Sequence, residues 1–405
     1  MRIRTFQGLR PAAASVEKLV SLPYDVVNTA EARAMAEGNP LSFLHVVRPE
    51  IDFPEGQDPY AAEVYEKAAA NLRQLQEDGH LQREEKPCAY LYELQMNSHR
   101  QRGLVALSHV RDYDEDRIRK HEKTRVEKEN DRTRLTSTLG ANTGPVFLTY
   151  RQTDALAGLM ERAGEGEPVY DLTTEDGIRH RIWRISEGDA LRSAFAEVPQ
   201  SYVADGHHRA ASAARVARER REANPGHTGE EDYNWFLTVL FPADELQILP
   251  YNRVVFDLNG LEKGSFLQQL QTRGPIQEES DGQASRPGEI RFYLGDIWRS
   301  LHLPVPGEAD PASRLDVSLL QDNVLQPLLG IDDPRTSDRL EFVGGIRGEA
   351  YLRGKVESGQ AGVAFSLYPV TVEQLMEIAD AGQIMPPKST WFEPKLRSGF
   401  FIHTF

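Results

Sequence analysis

The chain has 405 residues, a formal net charge of -15, 8% aromatic residues and one cysteine. That length exceeds one ordinary core and predicts two or three packed units. The acidic balance argues against DNA, RNA or an anionic membrane as partner, and one cysteine excludes a disulfide framework or a thiolate metal cluster. Cys88 sits at the head of an apolar run and reads as a buried strand residue. The start, Met1-Arg-Ile-Arg-Thr-Phe6, lacks a signal-peptide core, and no run of about twenty apolar residues exists, so a soluble cytoplasmic protein is expected.

Ile3–Phe6 alternates like a strand. Asn28-Thr-Ala-Glu31 fits a capping box and should open a helix through Met35, closed near Gly38. Asp58-Pro59 predicts a second helix, with Ala61, Val64, Ala68, Leu72 and Leu75 on one face and Gly79 as its stop. Residues 88–94 and 103–110 read as a strand pair joined by Asn97-Ser-His-Arg100. A charge-dense stretch, Asp112 to Arg134, precedes a strand at Pro145–Tyr150.

Farther on, a strand at Ile182–Ile185, a helix at Ala190–Ala196 and a strand at Ser201–Ala204 lead into an Ala- and Arg-rich helix from His208 to Glu222. Trp235–Phe241 is apolar throughout and predicts a central strand. Ile248–Phe256 is extended, and Arg273–Arg314 reads as surface loops around one strand, Ile290–Leu294. Helices are expected from Asp316 to Leu329 and, behind a capping box at Thr371-Val-Glu-Gln374, to Ala381. The fold class is α+β or mixed α/β, divided into 1–243 and 244–405.

Asp205-Gly-His-His-Arg209 is the strongest chemical signal. It follows a strand and opens a helix, where unpaired N–H groups and the positive dipole end suit an anion. Gly206 permits a sharp turn and close approach, Arg209 can fork onto phosphate oxygens, and His207 and His208 can donate hydrogen bonds. Asp205 could cap the helix or hold a magnesium ion. The bland alternative is a capped helix start with decorative histidines.

Lys120-His-Glu-Lys-Thr-Arg125 is either a solvated charge run or part of a polyanion site. In the second case Lys120, Thr124 and Arg125 bind phosphate, Glu122 is the general base and His121 assists it. Met385-Pro-Pro-Lys-Ser-Thr-Trp-Phe-Glu-Pro-Lys395 presents Lys388, Ser389, Thr390 and Lys395, all natural phosphate ligands. Pro23-Tyr24-Asp25 ends in a carboxylate that could hold a substrate amine, a metal or simply a turn, and His45 reads as structural. P-loop, protein-kinase, dinucleotide-binding and serine-hydrolase signatures are all missing.

Together these segments, with Phe6–Pro11, Asn39–His45 and Ala141–Phe147, resemble the domain of unknown function 1015 family over nearly the whole chain. Leu22 departs from the pattern, standing where a second proline is expected. The Asp-Gly-His-His-Arg turn is also similar to the phosphate box of the ParB/sulfiredoxin-like fold, shared by partition nucleotidases, sulfiredoxin and free-serine kinases. The resemblance implies a ParB/sulfiredoxin-like core with an additional α/β unit, and a kinase making O-phosphoserine from free L-serine with ATP, ADP or pyrophosphate. In that reading Arg209, His207, His208 and the helix start hold the donor. Glu122 orients and deprotonates the serine hydroxyl, His208 acts beside it, and Lys388 and Lys395 neutralise the transferring group. Mg²⁺ bridges donor oxygens near Asp205, while Asp25 and Tyr24 hold serine. Alternatives are a nucleotide or phosphate-ester hydrolase at the same site, and a ParB-like nucleotide-sensing or DNA-binding protein, favoured only by Arg215, Arg218, Arg220 and Arg221. A homodimer is compatible with all of these.

Overall fold

The computed structural model describes residues 1–307 and 310–405; two residues of the expected 273–314 loops, 308 and 309, lie outside the described residues. The chain is mixed α/β and divides into two compact units, Met1–Leu246 with Pro394–Phe405, and Gln247–Glu393. The sequence reading kept all of 244–405 together, whereas the last twelve residues return to the first unit.

The first unit is built on a nine-stranded sheet: β1 (Ile3–Arg4), β2 (Ala89–Met96), β3 (His99–His109), β4 (Ile118–Arg119), β5 (Val146–Tyr150), β6 (Tyr170–Thr173), β7 (Arg179–Ile185), β8 (Ser201–Asp205) and β9 (Trp235–Pro242). Their order is β4-β8-β5-β9-β3-β2-β7-β6, with β1 also pairing β3. β9 lies between β5 (parallel) and β3 (antiparallel), which explains its unbroken apolar run: both faces and both edges are covered. The β2–β3 hairpin turns at Asn97, at φ +54°, a left-handed conformation asparagine tolerates. Cys88 is buried, and burial pushes its thiol up, so it is an inert core residue.

Four helices frame the site: α1 (Thr29–Ala36), α2 (Ala62–Glu77), α3 (Val126–Leu139) and α4 (His207–Glu222). The Asn28–Glu31 capping box of α1 makes both of its bonds. Helix α2 starts later than its Asp58-Pro59 signal suggests, because Asp58 accepts from the Tyr60 amide in a preceding turn. Its buried face, Val64, Ala68, Leu72 and Leu75, is the expected one, and Tyr65 and Ala68 pack on Leu135 of α3. Helix α4 lays Ala210, Ala213 and Ala217 on the sheet beside Val203 and Phe236. Small side chains there let the helix approach closely.

The second unit carries a six-stranded sheet of β10 (Tyr251–Val255), β11 (Ile276–Glu279), β12 (Glu289–Tyr293), β13 (Trp298–His302), β14 (Leu340–Gly344) and β15 (Val363–Ser366), ordered β11-β13-β12-β15-β10-β14. The stretch expected to be loops around one strand therefore holds three. Polar Ile-Gln-Glu-Glu passes as loop because β11 is an edge strand with little to bury. The helix expected over 316–329 is α-helical only at Asp316–Leu320, then π-helical over Gln321–Leu325. No described helix is long and apolar enough to cross a membrane.

Candidate active site

The turn between β8 and α4 does what the sequence pattern asks of it. Register shifts against β5 between Val203 and Asp205, a bulge that re-aims the end of β8. Gly206 follows at φ +94°, in the left-handed region, and is the N-cap of α4. Gly206 has no side chain with which to cap this sixteen-residue helix. Asp205 receives the Lys395 ammonium at 3.0 Å, with an Arg209 Nη at 4.0 Å.

Arg209 is largely buried at the centre of the cluster. It bonds the Pro145 carbonyl and lies 3.7 Å from Asp25. A β-carbon on Gly206 would sit 3.1 Å from the Arg209 guanidinium, so the glycine also makes room for the arginine. Tyr24 is stacked under Arg132, whose guanidinium carbon is 4.0 Å from the ring centroid, and burial and then Asp25 hold its hydroxyl well above the ordinary tyrosine range. A cavity of about 30 Å³, the space of roughly one water, lies among Tyr24, Arg132, Arg209 and Ser398.

The 120–125 segment meets the same turn. The Arg125 amide donates to His208 Nε2 at 3.0 Å, so His208 is neutral there and carries its proton on Nδ1. Glu122 Oε2 is 3.9 Å from His207 Nδ1, and the Glu122 side chain is 39% exposed. His207 and His121 pack edge to face at 4.4 Å, each at most 5% exposed. Burial lowers the His121 pKa to about 4 and that of His207 well below the ordinary value, so both rings are neutral. Their His121 Nδ1 and His207 Nε2 atoms are buried without hydrogen-bond partners.

Other expected members have their own local partners. Lys120 is turned to the Tyr113 carbonyl (3.0 Å) and Asp116 (2.6 Å). Thr124 donates to Glu129 at 2.7 Å, a bond within the start of α3. Lys388, Ser389 and Thr390 belong to the second unit, where Ser389 donates to the Pro386 carbonyl and Lys388 sits at φ +56°. Sequence reasoning missed Arg132, whose only signal was its place in a charge-dense stretch, and Arg253. The latter is buried in the second unit and donates to the Pro387 and Lys388 carbonyls. His45 is structural, bonded to Asp52 and to the Asn39 carbonyl.

The residues do not fit a protein-held magnesium ion. The Asp205 carboxylate is already countered by Lys395 and Arg209, and among the described residues no three or more His, Cys, Asp or Glu side chains are grouped to hold a metal.

The pattern of a family described as a protein of unknown function, DUF1015, matches residues 3–318, well over half of the chain. The chain belongs to that family. No curated protein matches this DUF1015 member. Among solved structures it is similar to SbnI with C-terminal truncation from Staphylococcus aureus, at TM-score 0.38 and 14% identity over 73% of this chain and 85% of that one. A free serine kinase in complex with AMP follows at 0.37 and 11%, covering 73% and 91%. A conserved hypothetical protein from Pyrococcus furiosus stands at 0.35 and 13%, covering 73% and 95%. Likenesses this distant carry no chemistry over to this chain.

Proposed function

We propose that this DUF1015 member is a small-molecule phosphotransferase whose donor phosphate rests on the first turn of α4, with free L-serine as acceptor and ATP, ADP or pyrophosphate as donor. One observation carries the phosphate part: a long helix starts at a glycine in the left-handed region, directly after the Asp205 that Lys395 and Arg209 flank. Its amide hydrogens and dipole favour an anion. The serine part rests on the sequence motifs shared with the family.

Phosphoryl transfer needs charge neutralisation and in-line placement more than covalent help. The half-exposed Glu122 takes the hydroxyl proton as the new O–P bond forms. The P–O bond to the donor breaks, and ADP, AMP or phosphate leaves according to the donor used. His208 Nδ1–H and Arg209 offer donors to the phosphate, and Asp25 meets the serine ammonium. No step is assigned to magnesium. The buried His207 and His121 back Glu122 without touching substrate. A DNA-binding role is disfavoured because Arg215 bonds Asn130 and Glu219, Arg220 bonds the Ser137 carbonyl, and Arg218 lies 3.8 Å from Asp114.

The test is an incubation of purified protein with L-serine, Mg²⁺ and each donor in turn, assayed for phosphoserine. Phosphoserine with at least one donor is expected. Inorganic phosphate without phosphoserine would replace serine by water as acceptor. No product, and no pyrophosphate binding by calorimetry, would overturn the reading altogether.

A further inference from the structure

We propose a second small-molecule site in the first unit, for a compact zwitterion with one carboxylate and one ammonium, of the α-amino-acid class. Arg132 borders both this cavity and the small one beside Arg209, but the new site does not require phosphate binding. A cavity of about 240 Å³ lies between the start of α1, the Arg48–Glu50 link and α3. That is below the ~300–1,000 Å³ of clefts for drug-sized ligands, so a nucleotide is too large for it.

Its charges decide the occupant. Arg48, Lys128 and Arg132 are set against Glu50 and Asp131. Asp131 and Arg132 satisfy one another, with the Tyr65 hydroxyl completing Asp131 at 2.8 Å. The remaining three groups are incompletely used. Lys128 donates one bond, to the Tyr60 hydroxyl at 3.0 Å, and has two N–H groups left among the described residues. Arg48 donates through one Nη to Thr29 at 3.2 Å. Its Nε lies 3.2 Å from Glu50 Oε1 but is not aligned to bond it, and is buried without an acceptor. Glu50 is 7% exposed, and only its Oε1 has partners among the described residues, Thr29 and Arg48.

Spare cationic donors and a spare carboxylate oxygen thus line one small space. Charged groups left underused in a sheltered site are costly unless something completes them. A lone anion would satisfy Arg48 and Lys128 but face Glu50. A lone cation would satisfy Glu50 but face three cations. A ligand with both signs, its carboxylate toward Arg48 and Lys128 and its ammonium toward Glu50, completes all three.

The experiment uses L-alanine, a zwitterion with no hydroxyl to phosphorylate, and the Arg48 and Lys128 substitutions tell binding here from binding at the proposed serine site. Calorimetry on the full chain should show saturable binding in the millimolar range with a component weakened at least tenfold in both Arg48→Met and Lys128→Met and unchanged in Glu122→Gln. Lys128 is half exposed on α3, so its variant serves even where the Arg48 variant misfolds. L-alaninamide and propionate, each lacking one charge, should bind at least tenfold more weakly. No saturable binding of L-alanine, binding indifferent to the Lys128 substitution, or propionate binding as tightly as L-alanine would each overturn the proposal.

Discussion

Lowering the pH from 8 to 5 should destabilise the first unit through His121 and His207. Burial holds the His121 pKa at about 4, against about 6.5 for an unfolded histidine. As pH falls through that window the unfolded chain binds the proton first. The stability supplied by a neutral buried ring is therefore complete above pH 6.5 and is lost on the way to pH 4. At pH 5 the unfolded ring is almost fully protonated and the folded ring hardly at all, a difference of about 2 kcal/mol, rising to roughly 3 kcal/mol below pH 4. His207, lowered by burial and then by His121, acts in the same direction. Denaturant unfolding at pH 8 and pH 5, on wild type and His121→Gln, measures this. The variant should be less stable at pH 8, since it replaces a packed ring, but should lose about 2 kcal/mol less on acidification. A direct check is the His121 imidazole resonance, which should not titrate above pH 5. The same pH dependence in both proteins, or an imidazole titrating near 6.5, would refute the neutral pair.

Glu122→Gln should lower phosphoserine formation ~10²–10⁴-fold while pyrophosphate binding persists, read by product assay and calorimetry. Arg209→Lys keeps one charge but loses the planar fork, and should weaken pyrophosphate binding about tenfold in the same titration. Gly206→Ala puts a β-carbon at φ +94° and 3.1 Å from the Arg209 guanidinium; about 1–2 kcal/mol of stability and much of the anion affinity should be lost, measured by melting and titration.

What could be read from the sequence was local. The capping boxes at Asn28/Glu31 and Thr371/Gln374 form because their partners are three residues apart, and both are complete. β9 was legible because a strand enclosed on all sides must be apolar. β11, at an edge, had no such constraint and was missed. The phosphate turn was legible as a strand–glycine–helix junction. Which of its histidines faces inward was not, because that depends on His121, some eighty residues earlier, packing against His207 and not His208. The Lys395–Asp205 pair spans 190 positions, and among 62 acidic residues nothing in the chain marks Asp205 as its partner.

That pair changes the meaning of Asp205. Beside a phosphate box the residue suggests a metal ligand, yet Asp25, Arg209, Asp205 and Lys395 form a quartet of two anions and two cations. The quartet is neutral within itself, so the side chains alone give an arriving anion little net attraction. The first-turn amides and dipole of α4 supply that pull. The carboxylates hold Arg209 and Lys395 in place so that binding need not order two long flexible side chains, which would otherwise cost about 0.5–1.5 kcal/mol each. Asp205 thereby acts on the anion through the cations it orients, as preorganisation requires.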